Sequence, residues 1–183
     1  MLKSKNVELV PFDSKYIKKF VEFRNSEDSR NFLMPGIPYP VTVDTVSEWL
    51  SKKANHHESG EFAIIYNETN EYIGNVSYNN VDWKNRHCEI AIMIGEEKYR
   101  NRGLGTEALV TLLDFIFNEL NLHRVELKVY DFNERAIRCY EKCGFKKEGL
   151  LREAVYKHGK YINECIMSII KEEFYKHDSQ GNN

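Results

Sequence analysis

The segment 100–106, with the sequence RNRGLGT, carries the residue types best suited to binding an anion. It follows alternating apolar residues at 89–94, which predict a strand, and precedes an amphipathic run at 104–120, which predicts a helix. The first N–H groups of a helix lack intrahelical partners and lie at the positive end of its dipole. Because Gly103 and Gly105 have no Cβ, a phosphate can approach this loop closely. We therefore predict a phosphate site here, with the two arginines of the segment adding positive charge.

Two common phosphate-binding loops fit this segment less well. A P-loop requires Lys-Ser or Lys-Thr after its glycines, and neither follows here. A dinucleotide-binding loop, GxGxxG or GxGxxA, is matched by Gly103, Gly105 and Ala108, but it also expects an acidic residue about 20 positions later at the end of a second strand. Glu126 lies near that distance but inside a predicted strand. The glycines also lie past the midpoint of the chain, so we rank this interpretation below a different phosphate loop.

Length and composition predict one ordered domain. The chain has 183 residues, of which 42% are hydrophobic and 30% charged. The net charge of −2 gives no electrostatic reason to expect a nucleic-acid partner. No apolar run approaches the roughly 20 residues of a membrane span, and the first residues lack the apolar core of a signal peptide. We therefore expect a cytoplasmic protein. The four cysteines show no metal-ligand spacing, so we expect reduced thiols and no metal.

The elements that must position the loop follow from hydrophobic periodicity and turn residues. Residues 1–175 are predicted to form one domain, and the polar residues 176–183 a frayed tail. Hairpins predict antiparallel pairing, whereas the strand–helix–strand unit around 90–130 predicts one parallel pair. The result is an α/β fold with a single mixed, mostly antiparallel sheet of about seven strands and about four helices. The predicted strands cover residues 7–12, 62–66, 72–79, 87–94, 124–130, 145–156 and 161–171, and the predicted helices 13–24, 42–54, 104–120 and 133–142.

Two motifs together resemble those of the GNAT superfamily of N-acetyltransferases. The family's acetyl-CoA signature, [Q/R]xxGx[G/A], is matched by residues 100–105, and the element order matches from about residue 7 to 171. The chain most closely resembles the branch that contains the ribosomal-protein alanine and serine acetyltransferases (RimJ/RimL-like) and the spermidine acetyltransferases. The second signature, NxxAxxxY followed by Gly-Phe, is matched by Asn133, Ala136, Tyr140, Gly144 and Phe145.

This resemblance implies that the sheet is splayed between the strands at 88–94 and 124–130, and that acetyl-CoA lies in the split. The pantetheine arm would hydrogen-bond to the backbone of the first strand, and the diphosphate would meet the N–H groups of residues 101–106. No metal is implied. The residues expected to contact acetyl-CoA are Ile92, Met93, Ile94, Arg100, Asn101, Arg102, Gly103, Leu104, Gly105, Thr106, Asn133 and Arg138.

The resemblance also implies direct attack of an amine on the thioester, without an acyl-enzyme. Tyr140 matches the family's general acid, because a phenol holds its proton at neutral pH and can give it to a thiolate; alternatively, it only packs on its helix. Asn133 is predicted to cap that helix as well. Glu89 is either a base acting through a water or a strand carboxylate paired with a cation. His87 lies on the same strand face but near a turn, which favours a surface role.

The acceptor is expected to be a protein N-terminus of the ribosomal type, because the loop at 34–40 favours that branch. A polyamine, an amino sugar and an aminoglycoside are the alternatives, and a non-catalytic acetyl-CoA sensor is an alternative of another class. Glu27 and Asp28 would suit a cationic amine. We expect a monomer or homodimer, with the isoleucines of the final hairpin as a pairing surface. Candidate acceptor-lining residues, from the first two helices, the proline-rich loop and the final hairpin, are Asn25, Phe32, Met34, Tyr39, Trp83 and Tyr156.

Overall fold

The fold was derived from a computed structural model, which describes residues 2–33, 39–53 and 58–181. Two short 3-10 helices lie before α1 and before α4. The strands are β1 (Leu2–Lys3), β2 (Val7–Pro11), β3 (Gly60–Tyr66), β4 (Glu71–Asp82), β5 (His87–Ile94), β6 (Arg124–Tyr130), β7 (Lys146–Lys157) and β8 (Lys160–Ile170). The helices are α1 (Ile17–Asn25), α2 (Glu27–Phe32), α3 (Val43–Lys53), α4 (Leu104–Asn118), α5 (Glu134–Lys142) and α6 (Lys171–Gly181).

One mixed sheet of eight strands runs through the described part of the chain, in the order β1-β2-β3-β4-β5-β6-β8-β7. Every neighbouring pair is antiparallel except β5 and β6, which are parallel. The parallel pair arises because α4 carries the chain from the end of β5 back to the start of β6. The predicted α/β class and mixed, mostly antiparallel sheet are confirmed.

The two faces of the sheet bury separate hydrophobic clusters. On one face α4 supplies fully buried apolar side chains at helical spacing, including Leu109, Leu112 and Ile116. On the other face α1 and α3 contribute to a second cluster. Alternate residues of each strand point to opposite faces, so one strand serves both clusters. The second cluster contains Phe12, Ile17, Phe23, Val46, Ala63, Ile65, Tyr72 and Met93.

Glu107, in the first turn of α4, holds the N-terminal strands against that helix. Its Oε1 accepts hydrogen bonds from the Ser4 Oγ at 2.7 Å and the Asn6 backbone N at 2.5 Å, and its Oε2 accepts from the Asn6 Nδ2 at 2.8 Å. Burial alone would raise the pKa of Glu107, but these hydrogen bonds outweigh it and lower that pKa. The start of α4 is therefore anchored on the side away from β5.

Three elements differ from the prediction, each for a physical reason. The strand β1 and the helix α2 were missed because two and six residues carry too little periodicity. Residues 176–181 were predicted to be a frayed tail, but they continue α6. This helix is polar, yet Phe174 packs on Phe117 with ring centroids 5.4 Å apart, and the Lys171 Nζ donates to the Phe117 carbonyl at 2.6 Å. These contacts hold the first turn of α6 against α4.

The isoleucines of the final hairpin do not form the exposed pairing surface that was predicted. Ile162 and Ile169 are buried, and Ile166 and Ile170 are half-buried. The β7–β8 hairpin instead exposes Leu150, Leu151, Tyr156 and Tyr161.

Among the residues that the structure describes, no helix combines the length and the apolar character needed to cross a membrane.

Gly74 is a point where β4 and β5 approach closely. A Cβ placed there would lie 2.0 Å from the Met93 carbonyl oxygen and 3.0 Å from the Ile94 Cα. Gly74→Ala should therefore lower the free energy of unfolding by about 3 kcal/mol, because the strand backbones must move apart. The matched control is Gly149→Ala in β7, where a Cβ meets no atom within 4 Å. Urea unfolding of both variants tests this prediction, and equal midpoints would contradict it.

Candidate functional site

A cleft opens where β5 and β6 separate. The two strands pair over only three positions, from His87 with Arg124 to Glu89 with Glu126. Beyond Glu89, β5 continues to pair with β4, but no strand of the described chain pairs with its other edge. The backbone groups on that edge are therefore available to a ligand. The cleft has a volume of about 710 Å³ and is walled by β5, β6, α2, α5 and the loop before α4.

The loop before α4 forms one end of the cleft, with Asn101, Gly103, Gly105 and Thr106 in its lining. Gly103 has φ +79°, a left-handed conformation that other residues adopt only with strain, and it directly precedes the helix. A Cβ at Gly103 would meet no atom within 4 Å, so the space beside it is open. The 15-residue helix α4 thus begins at the cleft, and an anion there would be stabilised by the first N–H groups of the helix.

The guanidinium of Arg100 is already engaged by the protein. Its Nε donates to the Ile94 carbonyl at 3.1 Å, and its Nη2 donates to the Gly95 carbonyl at 3.1 Å. The same Nη2 lies 2.9 Å from the Asp28 Oδ2. Arg100 lines the cleft, but these contacts make it a strut that joins the end of β5 to α2. Its predicted phosphate contact stays a prediction.

Two further residues predicted to bind acetyl-CoA direct their side chains elsewhere. Arg102 donates from Nη2 to the Tyr66 Oη at 2.9 Å, and its Cζ lies 5.1 Å from the ring centroid of Tyr66. Leu104 is buried in the main core. Neither lines the cleft, so only their backbone N–H groups remain candidates for ligand contact.

Basic side chains of α5 form one rim of the cleft. Arg135, Arg138 and Lys142 all line it. Arg138 pairs with Glu134 through Nη1 and Oε2 at 2.9 Å on the exposed side of the helix. Only Arg138 was predicted from the sequence. The spacing 135, 138 and 142 places all three on one helix face, and that signal was sufficient to find the other two.

The helix α5 also presents Tyr140 to the cleft. Asn133 caps the helix, with its Oδ1 accepting from the Ala136 backbone N at 3.3 Å, as predicted. Tyr140 is buried together with Ile137, one turn before it, and packs edge-on against Phe145 at 5.9 Å between centroids. Burial raises the pKa of Tyr140 above its ordinary value. The raised pKa keeps the hydroxyl protonated at neutral pH. No described residue hydrogen-bonds to this hydroxyl, which faces the cleft unpaired.

Glu89 lies in the cleft at the point where the strands separate. No cation of the described chain lies within ion-pair distance of it, so the alternative of a paired strand carboxylate is not observed. His87 lies outside the cleft lining, with its Nε2 3.7 Å from the Asp82 Oδ2. Tyr130 also lines the cleft and was missed; its hydroxyl is buried without a hydrogen-bond partner, and burial raises its pKa to about 12.

Two thiols lie behind the loop. Thr106 Oγ1 and Cys139 Sγ are 3.3 Å apart, which links α4 to α5 beside the cleft. A hydrogen bond from Cys143, with a second from Thr106, lowers the pKa of Cys139 to about 7. All four cysteines are free. Within the described ranges no group of three or more His, Cys, Asp and Glu side chains is arranged to hold a metal ion.

A second cavity, of about 430 Å³, lies under α1 and α3 on the other side of β5. It shares Leu33 and residues 91–93 with the cleft, so the two spaces meet at the end of β5. Its remaining lining residues are Phe20, Arg24, Val41, Thr45, Val46, Trp49, Glu61, Asn75, Ser77 and Asn79.

The residues proposed from the sequence to line an acceptor pocket are not found around this cavity. Asn25 instead joins α1 to the segment before α3, donating to the Val41 carbonyl at 2.8 Å and accepting from its N–H at 2.9 Å. Phe32 lines the first cleft, and Met34 lies outside the described residues. The other three are exposed at the surface: Tyr39, Trp83 and Tyr156.

Comparisons with known proteins agree with this geometry. Spermidine N(1)-acetyltransferase of Escherichia coli K12 is 31% identical over 145 residues, which is 79% of this chain and 76% of the relative. The putative ribosomal N-acetyltransferase YdaF of Bacillus subtilis is 33% identical over 142 residues, 74% of each chain. The crystal structure of spermidine N-acetyltransferase from Vibrio cholerae in complex with CoA and spermine matches with a TM-score of 0.86 at 23% identity, covering 94% of this chain and 99% of that one.

The sequence profile of the acetyltransferase (GNAT) domain matches residues 6–146. The splayed sheet, the glycine loop at the start of α4 and the order of the elements are those expected from the two sequence signatures. This chain belongs to the GNAT family of acetyl-CoA-dependent N-acetyltransferases.

Proposed function

We propose that this protein transfers the acetyl group of acetyl-CoA to the primary amine of a small molecule, by direct attack of the amine on the thioester. The observation that carries the proposal is the wall shared by the two cavities at residues 91–93. A thioester lying along β5 in the cleft and an amine entering from the second cavity would meet there. Two substrates held side by side react without a covalent enzyme intermediate.

The second cavity favours a small amine over the protein N-terminus expected from the sequence. Its volume of about 430 Å³ is that of a small-molecule site, with apolar walls and a few polar groups. The relatives named above include both an enzyme named for spermidine and a putative ribosomal enzyme, so the family alone does not select between them. The size and lining of the cavity support a small-molecule amine over a protein N-terminus.

The cleft supplies the contacts that acetyl-CoA requires. The N–H groups of residues 101–106 would bind the diphosphate at the positive end of α4. The basic rim of α5, with Arg138 in it, would attract the remaining phosphate charge. The unpaired edge of β5 at 92–94 would hydrogen-bond to the pantetheine arm, and one of its N–H groups would polarise the thioester carbonyl. Asn133 lines the cleft, and its Nδ2 would be available to the same arm while its Oδ1 caps α5.

Proton transfers complete the reaction. Glu89 would accept a proton from the ammonium group through a water, which leaves the amine lone pair free to attack the carbonyl carbon. The tetrahedral oxyanion that forms is stabilised by a β5 N–H. When the C–S bond breaks, the thiolate takes the hydroxyl proton of Tyr140, whose raised pKa keeps it protonated until then. The nitrogen of the new amide gives up its second proton, which restores the phenol of Tyr140.

The first prediction from this scheme concerns the loop. Gly103 and Gly159 both have φ +79°, and a Cβ at either would meet no atom within 4 Å. Valine at either position therefore imposes the same backbone strain, about 1–2 kcal/mol. Only Gly103→Val should also raise the Kd for CoA, by about tenfold or more, because its side chain occupies the phosphate approach. Calorimetric titration of both folded variants with CoA tests this prediction. Equal Kd values would show that the diphosphate does not bind at this loop.

The second prediction concerns the acid. Tyr140→Phe should preserve the fold and the CoA affinity while lowering the single-turnover rate by roughly 10²-fold. Single-turnover measurement at saturating acetyl-CoA is needed because slow product release would hide the effect. Tyr130→Phe is the matched control, since that tyrosine lines the same cleft and is also unpaired. A wild-type rate for Tyr140→Phe refutes the assignment, and a loss in Tyr130→Phe alone transfers the role to Tyr130.

The third prediction concerns the reaction itself. A panel of spermidine, amino sugars, aminoglycosides, small amino acids and peptides with N-terminal Ser or Ala should give free CoA thiol with at least one small amine, and more slowly with the peptides. The reason is the limited volume of the second cavity. Release of thiol with peptides only would restore the ribosomal-type acceptor. Tight CoA binding without thiol release from any amine would instead indicate a sensor domain.

A further inference from the structure

The second cavity combines an apolar side with a polar floor, and it carries one charge of each sign. Phe20 and Trp49 stack on the helix side, with ring centroids 5.9 Å apart and an interplanar angle of 8°. Among the described lining residues only Arg24 and Glu61 are ionisable. The floor is formed by the neighbouring strands β3, β4 and β5. Its central strand, β4, contributes neutral polar side chains: Asn75, Ser77 and Asn79.

Arg24 reaches this cavity from the last turn of α1, and no residue that the structure describes is its partner. No oxygen of a described residue lies within hydrogen-bond or ion-pair distance of its guanidinium, in contrast to Arg100, which has three partners. Burial lowers the pKa of Arg24, and the more distant negative charge of Glu61 partly opposes this shift. A half-buried guanidinium without hydrogen bonds destabilises the fold. An anionic group of a bound ligand would supply the missing hydrogen-bond acceptors.

The groups on the floor are, by contrast, already oriented. The Glu61 Oε1 accepts a hydrogen bond from the Asn75 Nδ2 at 3.0 Å, and the Asn75 Oδ1 accepts from the Tyr72 hydroxyl. Glu61, Ser77 and Ala91 are Cα partners across three neighbouring strands. Glu61 therefore lies two strand spacings, about 10 Å, from the wall shared with the cleft. The floor holds a negative charge in reach of an incoming ammonium group, and the helix side holds a positive one.

We propose that the acceptor is a small primary amine that also carries an anionic group, a carboxylate or a phosphate, and that Arg24 binds that group. This inference rests on the proposed function and assigns its substrate class. A guanidinium binds either anion through two parallel hydrogen bonds, which orients the rest of the molecule. With the anion held at α1, the amine points along the floor toward residues 91–93. A polyamine would bring only positive charge to Arg24 in a half-buried site, where like charges repel strongly.

Matched acceptor pairs that differ only in the anion provide the test. β-Alanine is compared with propylamine, and phosphoethanolamine with ethanolamine, by release of free CoA thiol. The kcat/KM of the member that carries the anionic group should exceed that of the member without it by about 10- to 100-fold, the range for a charge-assisted hydrogen-bond pair. The pair with the larger ratio identifies carboxylate or phosphate as the anion.

Variants of Arg24 assign this preference to one side chain. Arg24→Gln should bring the ratio within each pair close to one, and Arg24→Lys should retain part of it because the charge remains. Arg24→Glu should reverse the preference and raise kcat/KM with spermidine. CoA affinity should stay unchanged in Arg24→Gln, and the unfolding midpoint should stay the same or rise, since the substitution removes a half-buried charge that makes no hydrogen bond within the described protein. Arg30→Gln, on the exposed side of α2, is the matched control and should leave every ratio at the wild-type value.

Several outcomes would overturn the assignment. Equal kcat/KM within both pairs, a uniform loss across all acceptors in Arg24→Gln, or spermidine as the best substrate of the wild-type protein would each do so. An Arg24-dependent preference confined to peptides with an acidic second residue would also reject a small-molecule acceptor. Failure of the proposed function is a separate result, because then no amine in any arm releases thiol although CoA binds.

Discussion

The structure depends on the early separation of two parallel strands. β5 and β6 pair over three positions and then part, which leaves one edge of β5 without a strand. This arrangement is unfavourable in isolation, because backbone N–H and C=O groups removed from water need partners. The protein supplies two of them at the far end, where Arg100 donates to the carbonyls of Ile94 and Gly95. The remaining groups on the edge are left for a ligand, and the cleft is thus a consequence of incomplete sheet formation.

Other features hold the strands apart. The close approach of β4 to β5 at Gly74 keeps β5 on its antiparallel neighbour. The helix α4 packs across the same face with its core side chains fully buried, and Glu107 anchors its first turn to the N-terminal strands. On the other face, Asp28 of α2 meets Arg100 beside the glycine loop. This ion pair links the loop before α4 to α2, which walls the cleft.

The parts of the site that local signals encode were predictable from the sequence. A loop with two glycines before an amphipathic run specifies a helix that begins at the cleft, and Asn133 with Gly144 specifies the ends of α5. The second cavity was not predictable in this way. Its floor comes from side chains on three strands, such as Glu61, Ser77 and Ala91, whose proximity depends on strand register. The ion pair between Arg100 and Asp28 likewise depends on α2, a helix too short to leave a periodic signal.

The two cavities are built from largely different elements, although they share a wall. The cleft draws on β6, α5 and the loop before α4, whereas the second cavity draws on α1, α3, β3 and β4. Substitutions on the inner faces of α1 and α3 can therefore alter what enters the second cavity without disturbing the groups around the cleft. Under the proposed function, such a division lets a common donor site be retained while acceptor preference diverges between descendants of one ancestral gene. A half-buried position such as Arg24, near the end of a helix and outside the main core, is one at which this divergence requires little change in the fold.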